Sequence, residues 1–490
     1  LTRIVSAGSR EPAWRTGFVH VHSIRGDVSR RNGARSGAKR PLPMASRQPE
    51  TGSHERQSGG QEAGCGQVTR GGHHPGARSH GAAAWQVLTV RATAALMVLL
   101  LVSAGTAVAA SPGQRFAAID RLVEESMQAS GIPGVSIAII DDFEVVYARG
   151  YGFAEPGRPV DTNTLFQAAS LSKPVSAMVA AAASERGLID LEADVAGMLT
   201  RWHLPPMPYE GPITPRMLFA HRAGTNVHGF PGYRLDEPLP DLPSILDGVR
   251  DKNEPIRVVA EPGGPASYSG GGYVMAQVAI EDHTGLTWEE LADTMVFESL
   301  GLDLSTYRIL HASDRGRVAV GFRVDGTEVA GGGWHVYPEQ APASLWTTPT
   351  EYAAIVVDAM RSYQDGAGAV LDQATARLLL DPDHPVGFGV SREEGGIAIG
   401  HRGANEGYRC EFVAVPHLGD GVIVMTNSDA GEELDASVIH AVGGELGWPW
   451  AGWSTPLWMV LVVAGLASVV MLVGWRLIRR RRRTRLPGPS

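Results

Sequence analysis

The sequence predicts an α+β fold for a central body spanning residues 112–447, and three observations carry that prediction. Runs rich in β-forming residues stand at both ends of the body, with helical spacings between them. No internal repeat is visible, which sets aside solenoids and propellers. The hydrophobic share of 43% is ordinary for a globular chain, and the two cysteines, Cys65 and Cys410, are too few and too far apart for a disulfide framework or a zinc site. A sheet assembled from both ends of the body, with a helical part inserted, follows from that order.

Taken from the start of the chain, residues 1–85 are rich in Gly, Arg, Ser and His and have almost no apolar periodicity. They read as disordered, and the histidines of "GGHHPGARSHG" read as solvated rather than metal-binding. Residues 86–111 hold one arginine, an apolar run from about Ala92 to Ala110, and an Ala-x-Ala pattern at Ala107–Ala109. That is the layout of a secretory signal peptide. Its depth in the chain suggests initiation near Leu88 or Val90, with the preceding stretch no part of the true product. The competing reading is a first transmembrane helix. Either way, the chain beyond Ser111 is expected outside the cytoplasm.

Within the body, "QRFAAIDRLVEESMQASG" has helical spacing and stops at Gly131. "GVSIAIIDDFEVVYARGYG" reads as a hairpin around an acidic turn. "KPVSAMVAAAASERG" reads as a helix closing at Gly187, and "WEELADTMVFESLGL" as another. "GIAIGHRG", "YRCEFVAVP" and "DGVIVMTNS" return to strands. Beyond the body, residues 456–475, "PLWMVLVVAGLASVVMLVGW", carry no charge, and Trp450, Trp453, Trp458 and Trp475 flank or bound them. Residues 476–490 then bring seven arginines. The expectation is a C-terminal transmembrane helix with a basic cytoplasmic tail, so the chain is a single-pass cell-membrane protein, or two-pass if the first hydrophobic segment is uncleaved. Its body is then extracytoplasmic. The formal charge of −9 divides into +9 over residues 1–91, −25 over 92–475 and +7 over 476–490. An acidic body of this kind is a poor nucleic-acid binder.

The chemistry is signalled by a lysine. Only Lys39, Lys173 and Lys252 stand against forty arginines. Lys173 closes "SLSK", three residues after Ser170, and residues three apart share a helix face. A serine hydroxyl is a weak nucleophile until its proton is removed. A desolvated lysine can remove it; an arginine cannot be deprotonated in proteins. The same tetrapeptide also suits a capped helix start with a solvated lysine. Ser172 is a rival nucleophile, but at i+1 it points away from Lys173.

The surrounding segments resemble the serine β-lactamase and penicillin-binding protein superfamily, in particular its class C β-lactamase-related branch of esterases and peptidases. "TLFQAASLSKPVSAM" is similar to the family's S-x-x-K segment, "ITPRMLFAHRAGTN" to its His-containing turn, and "PGGPASYSGGGYVMAQ" to its Tyr-x-Asn segment. "ASLWTTPTEYAAI" and "GHRGANEGYRCEFVAVPHLGDGVIVMTNS" resemble two later segments, with His-Arg-Gly where classical members have Lys-Thr-Gly. The matches run in order over 112–447.

The resemblance implies a β-lactamase/transpeptidase-like fold: an antiparallel sheet flanked by helices, plus an all-helical subdomain. It implies Ser170 as nucleophile, with Lys173 and Tyr268 as base and proton shuttle, the Lys173 cation lowering the tyrosine's pKa. His401 would receive a substrate carboxylate, Gly403 would let a substrate backbone lie along its strand, and the backbone N–H groups of Ala404 and Ser170 would form the oxyanion hole. Gly270 stands where lactam-hydrolysing members carry the asparagine that contacts substrate. Arg402 and Asn405 are expected as substrate contacts, Tyr273 as structural, and His221 as a turn-stabilising residue. His228 is left without a role.

The implied activity is a serine hydrolase acting through an acyl-enzyme on an ester, a D-amino-acid peptide or a β-lactam. No cofactor and no metal are implied, and the partners are a small-molecule or peptide acyl substrate and the membrane, not nucleic acid. Gly270 and His401 motivate the alternative of an inactive relative that binds cell-wall peptide or a membrane partner. Among other chemistries, the phosphate-binding G-x-x-x-x-G-K-[ST] and the G-x-S-x-G elbow do not occur in the sequence.

Overall fold

The computed structural model describes residues 115–450. The expected disordered segment, signal or first membrane segment, C-terminal membrane helix and basic tail lie outside these residues. No helix among the described residues is long and apolar enough to cross a membrane.

The described residues open with helix α1 (Ala117–Ser130), which stops where Gly131 takes a left-handed φ of 65° and donates its N–H to Met127 O. The predicted hairpin comes next as β1 (Gly134–Asp141) and β2 (Glu144–Glu155), with the short β3 (Arg158–Pro159) on its outer side. The end of the chain adds β4 (Gly389–Glu393), β5 (Gly396–Asn405), β6 (Tyr408–Val415) and β7 (Asp420–Thr426), then α6 (Glu432–Leu446). The strands form one sheet in the order β3-β2-β1-β7-β6-β5-β4, with antiparallel pairing throughout. The first and last thirds of the body meet at β1 and β7, where Ile137 lies opposite Val424.

Strand alternation divides the interior in two. Val135, Ile137, Ile139, Val413, Val415, Val422 and Val424 face α1 and α6 in one cluster. Ala138, Ile140, Phe412, Ala414, Ile423 and Met425 face the inserted helices in the other. Because both faces are covered, these strands read as nearly continuous apolar runs rather than as alternating ones.

Four inserted helices position the site. Helix α2 (Ser172–Glu185) is buried on every side from Ser172 to Ala183, as a helix apolar all round must be. Helix α3 (Gly270–Thr284) is buried from Gly270 to Ile280. The short α4 (Gln340–Ala343) packs against both, and α5 (Pro349–Asp365) crosses β1 and β7. The predicted helix around 288–300 is present as one helical run, but its middle, Asp293–Phe297, widens into a π-turn before Gly301 ends it at φ 65°.

Candidate active site

Ser170 sits in a 3-10 turn (Ala169–Leu171) that runs directly into α2. Ala169, before it, takes a φ of 49°, a left-handed conformation disfavoured for a residue with a Cβ. The neighbourhood over-determines that turn. Ala168 N–H donates to Leu345 O at 2.8 Å, Tyr352 Oη donates to Leu171 O at 3.0 Å, and Tyr307 Oη donates to Ser172 O at 2.8 Å. Ser172, the rival nucleophile, is buried; its hydroxyl donates to Ala169 O at 2.5 Å and accepts from Leu345 N–H at 3.1 Å. It is a structural pin for the turn.

Two side chains meet at Ser170 Oγ, Lys173 from the first turn of α2 and Tyr268 from the loop just before the cap of α3. Lys173 Nζ lies 3.0 Å away and donates also to Pro342 O at 2.9 Å. Tyr268 Oη donates to the same Oγ at 2.9 Å. Lys173 is only 2% exposed, and its Nζ lies over the rings of Tyr268 and Tyr273 at 4.9 and 5.4 Å. Burial drives its pKa down to about 7. The same burial pushes the Tyr268 phenol upward, opposed by its hydrogen bond to Ser170. These directions run opposite to a phenol lowered by a Lys173 cation: burial favours the protonated phenol and the neutral amine.

Tyr268 is held from behind. Ser269 caps α3, its Oγ accepting from Gly272 N–H at 3.0 Å, and its own N–H donates to His221 Nδ1 at 3.1 Å. The His221 ring lies between Tyr268 and Tyr273, at centroid distances of 4.4 and 5.2 Å. Burial and the proximity of Lys173 hold His221 well below the usual histidine range, so it is a neutral acceptor. Tyr273 is buried and donates to Phe219 O at 2.9 Å.

The opposite wall is β5. Its pairing with β4 ends at Gly400, so His401–Asn405 form the edge beside the Ser170 turn. His401 is 2% exposed, with Nδ1 2.8 Å from Arg402 O, which makes Nδ1–H the donor. Burial, then the nearby Lys173, drives its pKa down to about 3. His401 is neutral and supplies no cation for a carboxylate. Gly403 leaves room for protein rather than for substrate: a Cβ there would collide with the Ala168 carbonyl oxygen and come within 3.2 Å of Ala169 Cβ. Arg402 turns to the other face of the sheet and pairs with Glu411 and Glu432, each at 3.3 Å. Asn405 is buried and donates to Gln167 Oε1 at 2.8 Å and Ala343 O at 3.1 Å. Both are structural, contrary to expectation. Ala404, exposed, lies on this edge.

Gly270 is engaged within the protein. Its N–H donates to His228 O at 3.0 Å, and a Cβ would come 3.1 Å from that oxygen and 3.2 Å from the Phe230 ring. The position therefore has neither a side chain nor a backbone N–H to offer a substrate. Sequence reasoning missed the Pro342 carbonyl that holds Lys173, because a backbone acceptor has no side-chain signature. Among the described residues, no group of three or more His, Cys, Asp or Glu is placed to hold a metal ion.

Comparison with known proteins gives a coherent set of likenesses. The beta-lactamase family model matches residues 119–443. The chain is 31% identical over 164 residues to penicillin-binding protein 4* of Bacillus subtilis, covering 33% of this chain and 35% of that one. It is 25% identical over 344 residues to the D-aminopeptidase of Gluconobacter oxydans, covering 64% and 59%. The chain thus spans between about a third and three-fifths of those two relatives. Among solved structures, the octameric penicillin-binding protein homologue from Pyrococcus abyssi superposes with a TM-score of 0.55 at 22% identity, covering 67% of this chain and 77% of that one. That likeness shows the β-lactamase/transpeptidase-like fold.

Proposed function

The chain belongs to the beta-lactamase family, and from that premise we propose that it is a serine hydrolase working through an acyl-enzyme on Ser170. The observation that carries the reading is the meeting of Lys173 Nζ and Tyr268 Oη on one Ser170 Oγ, with Lys173 buried enough to be half neutral near pH 7. In its neutral form the amine takes the Ser170 proton as Oγ attacks the acyl carbonyl. The proton then passes to the leaving group, with the Tyr268 hydroxyl, adjacent to the same oxygen, as the relay. The C–O or C–N bond to the leaving group breaks; water then attacks the acyl carbon as the same pair takes its proton, the bond from that carbon to Ser170 Oγ breaks, and the proton returns to Oγ as the acid leaves. The backbone N–H groups of Ser170 and Ala404 are the proposed oxyanion donors.

Substrates are esters, D-amino-acid peptides or β-lactams. The neutral His401 and the occupied space at Gly270 favour acyl donors that need no cationic clamp, so esters and peptides rank before β-lactams. We further place the enzyme at a membrane, anchored by residues 456–475, with its catalytic body outside the cytoplasm and its arginine-rich tail inside. The full chain treated with a fluorophosphonate should be labelled at Ser170, and Ser170→Ala should abolish the labelling. Undiminished labelling of the alanine variant overturns the assignment. Protection of the body, but not of the tail, from protease added to the cytoplasmic side would establish the topology; the reverse pattern would refute it.

A further inference from the structure

Three successive glycines, Gly270, Gly271 and Gly272, open α3, although glycine weakens a helix by ~1 kcal/mol relative to alanine. Each lies against the segment 225–230. A Cβ at Gly270 would come 3.1 Å from His228 O, one at Gly271 2.8 Å from Asn226 O, and one at Gly272 2.7 Å from Thr225 Oγ1. The segment is tied down at every step. Ser269 Oγ donates to Asn226 O at 2.5 Å, Gly271 N–H donates to Val227 O at 3.0 Å, and Gly270 N–H donates to His228 O at 3.0 Å. Asn226 anchors from the other side, accepting from Arg257 N–H at 2.6 Å and donating to Pro255 O at 2.9 Å.

These ties hold a strained backbone. Val227 has a φ of 63°, a left-handed conformation that a β-branched residue rarely adopts. The consequence is the placement of the next residue. His228 lays its imidazole on Tyr268, ring centroids 4.7 Å apart and planes 41° from parallel, and the residue as a whole is exposed. Tyr268 in turn contacts Ser170 Oγ. An exposed imidazole on the wall of the site is therefore presented by a strained, multiply bonded loop, and the glycines that admit the loop are the ones that remove a side chain from position 270.

We propose that His228 is a specificity-determining residue that contacts the acyl donor, in place of the side chain that Gly270 lacks, and that it selects donors carrying an amide next to the reacting carbonyl. This rests on the reading of the protein as a serine hydrolase. A neutral imidazole has one N–H donor and one ring-nitrogen acceptor, which match the carbonyl and N–H of an amide. Burial against Tyr268, and then the proximity of Lys173, keep His228 below the usual histidine range and so in that form.

The test uses the full chain and two nitrophenyl esters, one of N-acetyl-D-alanine and one of propionic acid, which lacks only the acetamido group. The ratio of their kcat/KM values cancels differences in folding and active fraction. His228→Ala should lower the ratio about tenfold, the size of one lost hydrogen bond to substrate, mainly through KM for the acetylated ester. His228→Gln, which retains a donor and an acceptor, should recover part of it. A ratio within twofold of the parent in His228→Ala overturns the proposal. So does a loss that His228→Gln leaves unrelieved, since that marks a purely structural role for the residue. Failure of the parent chain to be labelled by fluorophosphonate at Ser170 would instead overturn the hydrolase reading, and this inference with it.

Discussion

On the α2 side of the cleft, Ser170 Oγ lies within 3.0 Å of both Lys173 Nζ and Tyr268 Oη, and the turn that carries it is bound through Ala168, Leu171 and Ser172. On the β5 side stand a buried histidine held low in pKa, a glycine crowded by the Ser170 turn, and an arginine paired with Glu411 and Glu432. The first wall brings Ser170, Lys173 and Tyr268 within hydrogen-bond reach of one another. The second presents a backbone edge whose side chains are engaged within the protein. The difference reflects the task of each wall. Proton transfer from serine needs a base at hydrogen-bond distance with a pKa near the working pH, which few arrangements satisfy. Substrate recognition depends on complementarity to whatever group is to be bound, and that can be rebuilt from another loop.

The largest test of this contrast is Lys173→Arg. It preserves a cation but removes the base, so acylation should fall by at least ~100-fold, read by the rate of fluorophosphonate labelling. Near-parent labelling would mean that the lysine acts as a charge alone. Next, Gly403→Ala probes whether the β5 wall is built around the nucleophile turn. The added Cβ must displace the Ala168 carbonyl, costing about 1–3 kcal/mol, read as a lowered Tm together with slower acylation.

A pH profile comes next in size. With Lys173 held down to about 7, the acylating form is the neutral amine. The rate should therefore be flat above that pH and fall about tenfold per unit below it as the amine is protonated. A profile still flat at pH 5 would remove Lys173 as the base. The smallest effect is expected from His401→Lys, which restores a cation to the recognition wall. Penicillin acylation should rise about tenfold relative to a neutral nitrophenyl ester, one charge-assisted hydrogen bond to the lactam carboxylate. An unchanged ratio would place the specificity elsewhere on the wall.

Much of the fold was legible because it rests on local signals. Gly131 ends α1, the hairpin at 134–155 turns through its acidic corner, and three of the four C-terminal strands, β5, β6 and β7, are continuous β-rich runs. Ser170, Lys173 and Tyr268 were legible through short motifs whose spacing reflects one helix face and one helix start. The roles of Arg402, Asn405, Gly403 and Gly270 were not legible at that level. They depend on which side of a strand or helix another segment occupies. Asn405 is buried because Gln167 and Ala343 close over it, and Gly270 is engaged because residues 226–230 lie across α3.

The sequence by itself determined the order of the elements through local periodicity, and the family through the resemblance of its ordered motifs, which also pointed to Ser170, Lys173 and Tyr268. Tertiary structure decided protonation and recognition. Whether Lys173 is charged, whether His401 is a clamp, and which side chain faces the acyl donor depend on burial and on contacts between segments distant in sequence. Desolvation is a property of the packed site, and no single stretch of residues encodes it.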